Sequence, residues 1–186
     1  MTWLDIIGST VLAGAVILAV IGLNFLFTDS TRNFGSDLRT QENMVALTER
    51  IQWDFAKIGY RVTNGKRILV SKSDTLMFAG DMDNNGTVDT VKYFKGSTST
   101  RSNTHNAKDF LLYRVSKTDT MKLNEGLTRF DLTYFDSTGA STLVPGKVRG
   151  LKIQARIESP DTLSNGQYSG TYWENTIYPR NLNLTR

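Results

Sequence analysis

Apolar residues are concentrated at the start of the chain. Between Trp3 and Phe27 the only charged residue is Asp5, and the stretch is otherwise almost entirely aliphatic residues, glycine and phenylalanine. As an α-helix rising about 1.5 Å per residue, this run reaches roughly 35 Å, which exceeds the ~30 Å hydrocarbon core of a bilayer. The rest of the chain is polar and resembles a soluble domain. The pattern therefore predicts an apolar, membrane-spanning helix over 1–27 and a head over 28–186.

A second helical pattern follows the apolar run. From about Ser36 to Ile58, apolar residues recur mostly at steps of three and four, which is typical of an amphipathic helix. Ser36 is a candidate N-cap and Gly59 a candidate stop, and we expect the polar stretch Thr28–Gly35 to interrupt or weaken the helix. The predicted buried stripe consists of Leu38, Met44, Leu47, Ile51, Phe55 and Ile58. The charged residues predicted on the other faces are Arg39, Glu42, Glu49, Arg50, Asp54 and Lys57.

Runs with strand character fill the remainder of the chain. Alternation between apolar and polar residues is clearest in Leu127–Tyr134 and Leu151–Ile157. The predicted strands are Arg67–Ser71, Thr75–Gly80, Thr87–Phe94, Phe110–Ser116, Leu127–Phe135, Val148–Glu158 and Gly170–Tyr178. Turn residues fall between several of them, at 64–65, 84–86, 137–139 and 145–146. We therefore expect an α+β fold, in which the amphipathic half of a long N-terminal helix packs on an antiparallel sheet.

Composition argues against several classes of function. The net charge is only +4, and the basic residues are interspersed with acidic ones, which favours a solvated mixed surface over a nucleic-acid interface. Cysteine is absent, so disulfides, thiolate metal sites and a cysteine nucleophile are excluded. The single histidine, His105, lies in the polar stretch Lys95–Lys108, which we expect to be an exposed, mobile loop. We therefore predict that the protein is not an enzyme.

The apolar segment carries small residues at Gly8, Ala15, Ala19 and Gly22, separated by seven, four and three positions. These spacings place them on one helical face, where small side chains let helix backbones approach closely. The alternative is a lone membrane anchor, in which the small residues have no role. This face is the first predicted assembly element.

Charge around the apolar segment is unusual for a chain that enters a membrane with its amino end inward. No basic residue precedes the segment, and the first one, Arg32, lies beyond it. We therefore expect that a basic leader preceded Met1 and was removed. The alternative is that Met1 is an initiator residue.

An acidic segment lies between two predicted strands. Its oxygen-bearing side chains and carbonyl follow the spacing at the start of a calcium-binding loop, with a glycine, Gly86, where the chain turns. The candidate calcium ligands are Asp81, Asp83, Asn85, the carbonyl of Thr87, and Asp89. Lys92 occupies the twelfth position, where an EF-hand has glutamate, so the loop is not an EF-hand. The alternative is a polar hairpin turn built on residues that tolerate positive φ.

Several blocks of the sequence resemble one known superfamily. The opening MTWLD (Met1–Asp5), which begins a long apolar helix, resembles the mature start of type IV pilins and type II secretion pseudopilins. The helix end at 47–61 is similar to that of W-type minor pilins and J-type minor pseudopilins. The acidic segment 81–89 and the ending 178–182 resemble the head of the same group.

The resemblance implies a structural role. A prepilin peptidase would remove the leader, the subunit would wait in the inner membrane, and assembly machinery would polymerise identical subunits through their N-terminal helices into an extracellular filament. The acidic residue at position five, here Asp5 instead of the usual glutamate, would neutralise the N-terminal amine of a neighbouring subunit. Gly22 stands where many major pilins carry proline. A minor tip or priming subunit, or a singly anchored ligand-binding protein, remains open as an alternative.

Overall fold

The computed structural model describes residues 2–100, 104–117 and 119–182. Within these residues the chain is α+β, with one long helix followed by a seven-stranded antiparallel sheet. The helix, α1, covers Trp3–Ala56, which is 54 residues without a break. The strands are β1 (Ile68–Lys72), β2 (Thr75–Gly80), β3 (Asp89–Lys95), β4 (Phe110–Ser116), β5 (Asp119–Phe135), β6 (Gly150–Thr162) and β7 (Tyr168–Ile177).

The helix runs straight through the polar stretch Thr28–Gly35, so the predicted interruption there is wrong, and Ser36 is not an N-cap. The hydroxyls of Thr28 and Thr31 donate to helix carbonyls four residues earlier, at 2.8 and 2.9 Å, and so do not compete with the helix for its backbone. A single glycine, Gly35, weakens a helix by only about 1 kcal/mol. Polarity at 28–35 therefore indicates exposure, not the end of a helix.

The sheet is a simple meander in which the spatial order of the strands equals their order in the chain. The predicted bounds of β2 and β4 are confirmed. Strand β5 begins at Asp119, eight residues before the predicted start, because residues 119–123 continue the hairpin with β4. At Gly126 the backbone has φ 84°, and an added Cβ would lie 2.3 Å from the carbonyl oxygen of Glu158, so the strand needs glycine to pass β6 there.

The head is built where the second half of α1 crosses β5, β6 and β7. The predicted stripe is buried from Met44 to Ile58, but Leu38 is 45 % exposed, although the neighbouring Asp37 already accepts a hydrogen bond from the Ser169 hydroxyl of β7. Phe55 lies edge-on to Phe78 and Tyr93, with ring centroids 5.9 and 5.2 Å apart. The sequence thus predicted the buried face of α1 correctly from Met44 onward.

The end of α1 is fastened to the end of β2. The N–H of Gly59 donates to Ala79 at 2.8 Å, and the N–H of Asp81 donates to the carbonyl of Tyr60 at 3.0 Å. Gly80 lies so close to the helix end that an added Cβ would be 2.4 Å from the carbonyl oxygen of Lys57. The acidic segment after β2 is consequently held against the last turn of α1.

The first half of α1 has no contact with the head. Among the described residues, α1 alone is long and apolar enough to cross a membrane, and none of its apolar window is buried. Apolar side chains from Trp3 to Phe27 are exposed on every side of the helix. A helix that is apolar all round is stable only in lipid or among other helices, so this segment is suited to membrane anchoring.

Candidate functional site

The small residues of the apolar segment share one face of α1, as predicted. At 100° per residue, Gly8, Ala15, Ala19 and Gly22 fall within an arc of about 60°. A Cβ added at Gly8 or Gly22 would meet no atom within 4 Å. The face is therefore a smooth strip that this subunit leaves uncovered.

Asp5 closes the start of the helix. Its Oδ2 accepts hydrogen bonds from the backbone N–H of Thr2 at 2.9 Å and from the Thr2 hydroxyl at 2.8 Å. Thr2 is the N-cap and Asp5 lies in the first turn, so the carboxylate supplies the acceptor of a capping box. Met1 lies outside the described residues. The Asp5 carboxylate thus points toward the amino end of the chain, on the exposed surface of an apolar segment that has no other charge before Phe27.

The acidic segment brings three of its predicted ligands together. Asp81, Asp83 and Asp89 each offer a carboxylate oxygen, and the three oxygens lie within 4.8 Å of one another. Asp81 is fully buried, Asp83 is exposed and Asp89 is intermediate. Thr87 lies in the turn, because β3 begins at Asp89 and not at Thr87 as predicted.

Asp81 is the anchor of this acidic cluster (Asp81, Asp83 and Asp89). Its Oδ2 accepts from Nη1 of Arg61 at 2.8 Å and from the N–H of Gly86 at 3.0 Å. Burial acts to raise the pKa of Asp81, but the Arg61 guanidinium and the Gly86 N–H outweigh it and hold the pKa below its ordinary value. The other oxygen, Oδ1, is buried and has no hydrogen-bond donor among the described residues. Asp81 is therefore an ionised carboxylate in which one oxygen has no described hydrogen-bond partner.

The remaining predicted ligands help to form the turn itself. Asp83 accepts from the N–H and the side-chain amide of Asn85, at 3.1 and 2.7 Å. Asn85 in turn accepts from the N–H of Thr87 at 2.7 Å. Asn84 and Gly86 have positive φ, at 63° and 89°. The hairpin conformation expected for such residues is thus present, and it is the turn that gathers the carboxylates.

Two cations from the end of α1 lie beside the acidic cluster. Nζ of Lys57 donates to the carbonyl of Met82 at 2.6 Å and lies 4.1 Å from the centre of the Trp53 ring. Nη1 of Arg61 bridges Asp81 and, at 3.3 Å, the carbonyl of Asn84. Two cations facing three carboxylates leave the cluster with a net charge of −1.

A second charged cluster lies inside the head, and the sequence analysis missed it. Asp54 was predicted on a solvent face of α1, but it is fully buried. Its Oδ2 accepts from the hydroxyl of Tyr93 and from Nε of Arg114, each at 2.5 Å. Burial alone would lower the pKa of Arg114, but its bond to Asp54 raises the pKa above its ordinary value. Burial also raises the pKa of Tyr93, so the hydroxyl stays protonated and donates to the carboxylate.

A signal for this cluster was present in the strands. In β4, Phe110 and Leu112 are buried, so alternation places Arg114 on the same inward face. A charged side chain is buried only when it has a partner of opposite charge. Asp54, which directly precedes the buried Phe55, is that partner.

His105 is an exposed loop residue, as expected. Its side chain is 85 % exposed, and Nδ1 lies 2.8 Å from Oδ1 of Asp161, which is also exposed. The stretch Lys95–Lys108 is not exposed throughout, however. Asn106 is buried because its side-chain amide donates to Glu158 at 3.0 Å, which fastens the end of the loop to β6.

Comparison with known proteins does not assign the chain to a family. No protein-family model matches it, and no curated protein matches it significantly.

Proposed function

We propose that the protein is a pilin-like structural subunit, held in the membrane by the first half of α1 and polymerised through that helix into an extracellular filament. The observation that carries this proposal is the division of one helix into two halves. One half is built into the head, and the other is apolar on all sides and contacts nothing in the subunit. The subunit therefore needs lipid or other subunits to cover half of its longest element.

Two further features favour assembly over simple anchoring. A lone anchor needs neither a carboxylate in its first turn, supplied by Asp5, nor a strip of small residues along one face. Helices that leave the bilayer together need both, because the strip allows close packing and the carboxylate can neutralise an amine at a neighbouring N-terminus. The partners are other copies of this chain, a prepilin peptidase and the assembly machinery, and nucleic acid is not among them.

Two alternative functions keep the same fold. A minor subunit at the tip of a pilus or type II secretion filament would use the same helix but occur in few copies. A singly anchored protein whose head binds a ligand would use the acidic cluster and would not polymerise. Microscopy of the purified chain separates the anchored protein from the two filament subunits.

We expect a chain that begins at Thr28 to be soluble and monomeric and to form no fibres. The reason is that it retains the whole buried core of the head and loses the exposed apolar helix. Light scattering gives the mass, and negative-stain electron microscopy compares it with the full chain after detergent removal. Long filaments from the truncated chain would show that α1 is not the filament core.

A pair of matched variants tests the small-residue strip within the intact helix. Replacing Ala15 and Ala19 with leucine should reduce filament number at least tenfold, because two bulky side chains keep helix backbones apart. Replacing Val16 and Val20 with leucine, one position further along, changes the same number of residues on another face, where the side chains are already large, and should leave assembly intact. Both variants remain apolar enough to span a bilayer, so membrane fractionation should show equal amounts. Equal filament numbers from both variants would favour the lone anchor.

A further inference from the structure

The acidic cluster contains a buried carboxylate oxygen that has no hydrogen-bond donor in the described part of the chain. Oδ1 of Asp81 is buried and has no donor among the described residues, although Oδ2 of the same group has two. A buried acceptor without a partner is rare in native proteins, because desolvation is not compensated. The nearby cations do not meet the need, since Arg61 binds Oδ2 and Lys57 binds the carbonyl of Met82.

The carboxylates around Asp81 define the chemistry of a missing partner. Three carboxylate oxygens lie within 4.8 Å of one another. Two oxygens on opposite sides of a calcium ion, each about 2.4 Å from it, are separated by about 4.8 Å. All candidate ligands are oxygens, which calcium prefers and which do not favour softer transition metals. Exposed Asp83 gives an ion a path from solvent.

We propose that Asp81, Asp83 and Asp89 bind one calcium ion, with Asp81 giving Oδ1 to the ion and keeping Arg61 on Oδ2. The Asn85 side chain and the Thr87 carbonyl, both in the same turn, are available to complete the coordination. Lys57 and Arg61 oppose a further positive charge, so the affinity belongs to the weak range of extracellular calcium modules, about 10⁻⁴–10⁻³ M. This site is independent of filament formation.

Calcium at this position would also act on the junction between helix and sheet. The turn is fastened to the end of α1 through Asp81, whose N–H donates to Tyr60 and whose carboxylate accepts from Arg61. An ion that joins Asp81 to Asp83 and Asp89 therefore fixes both strands of the hairpin to the last turn of the helix. The expected effect is a more stable head.

The test uses the full chain in detergent micelles, with calcium chloride as the probe. For a head of this size, about 10 mM calcium should raise the melting temperature by roughly 3–10 °C relative to chelator. The double variant Asp83→Asn/Asp89→Asn should lose this shift, because it removes two charges and keeps the side-chain shapes. The matched control is Asp136→Asn, in the turn after β5, where the carboxylate accepts hydrogen bonds from Thr138 and Ala140 of its own turn. Identical melting in calcium and chelator, or an undiminished shift in the double variant, would overturn the proposal.

Terbium luminescence gives a second readout that does not depend on stability. Terbium takes oxygen ligands like those of calcium, and Nζ of Lys57 contacts both the Trp53 ring and the Met82 carbonyl of the turn, so excitation of tryptophan should produce terbium emission. Calcium should displace the signal, Trp53→Phe should abolish most of it, and Trp3→Phe at the far end of α1 should leave it unchanged. Arg61→Gln should raise calcium affinity several-fold, since it removes an opposing charge. Emission that calcium does not displace, or that Trp53→Phe leaves intact, would place the ion elsewhere.

Discussion

Asp5→Ala should insert and accumulate in the membrane but assemble few or no filaments, whereas Asp5→Glu should assemble normally. In the stored monomer the carboxylate lies at the start of an exposed helix and can be hydrated. In a helix bundle, the carboxylate and the neighbouring amine that it is proposed to neutralise would both lose their hydration. Leaving one member of a buried ion pair without its partner costs about 3–5 kcal/mol, which weakens the addition of each subunit roughly a hundredfold to several thousandfold. Counting filaments by electron microscopy, with membrane-bound subunit measured by immunoblot, gives the result.

The capping box requires its own control, because Asp5 also bonds to Thr2 within the chain. Loss of a helix cap costs only about 1 kcal/mol, so capping alone predicts a mild defect. Thr2→Val removes the hydroxyl donor but leaves the backbone N–H bond and the Asp5 charge, and it should assemble normally. Asp5→Asn keeps an acceptor for the cap, removes the charge and should fail like Asp5→Ala. Normal filament numbers from Asp5→Ala would make the carboxylate irrelevant to assembly.

Asp54→Ala should be the most destabilising single change in the head. The substitution leaves the guanidinium of Arg114, which is 6 % exposed, without its carboxylate, and it also removes the acceptor of the Tyr93 hydroxyl. Removing one partner of such a buried pair costs about 3–5 kcal/mol, equivalent to a fall of roughly 6–20 °C in melting temperature for a domain of this size. Thermal unfolding of the full chain in micelles, followed by near-ultraviolet circular dichroism, measures the fall.

The exposed pair formed by Arg129 and Asp131 provides the matched control. Its Nε–Oδ2 distance is 2.6 Å, close to that of the buried pair, but both side chains are 48 % exposed. Asp131→Ala should therefore cost about 1 kcal/mol or less. The double variant Asp54→Leu/Arg114→Met should recover part of the stability, since it replaces two buried charges with apolar groups. An Asp54→Ala protein that melts like Asp131→Ala would mean that the buried pair contributes little.

The periodicity of apolar residues predicted the fold because each helix or strand buries one face, and the residues on one face recur at a fixed spacing. The stripe through Ile51 and Phe55 and the alternation in β5 and β6 depend only on which side of an element is covered. The same logic failed at Thr28–Gly35, because polar residues indicate that nothing covers the helix and do not indicate that it ends. It failed again at Asp54, because a pattern that assigns every charge to solvent takes no account of a partner sixty positions away, at Arg114.

The sequence predicted some parts of the candidate sites and not others, because spacing along the chain reports only local contacts. The acidic cluster is local, so the spacing of Asp81, Asp83 and Asp89 was sufficient to predict that the carboxylates meet. The cations Lys57 and Arg61 reach the cluster only because the end of α1 docks on β2, which the sequence does not specify. The proposed role of Asp5 concerns contacts between subunits, which the structure of one subunit does not describe.

Because α1 is continuous, the head is attached to the apolar segment without a flexible joint. About 35 Å of helix separate Phe27, at the end of the apolar segment, from the level of Arg50 in the head. Because no hinge lies between them, a change of about 20° in the tilt of the buried segment displaces the head sideways by roughly 12 Å. Transmembrane helices adopt tilts over such a range as bilayer thickness changes. In a membrane-anchored subunit, a change in the tilt of α1 would therefore move the head relative to the bilayer.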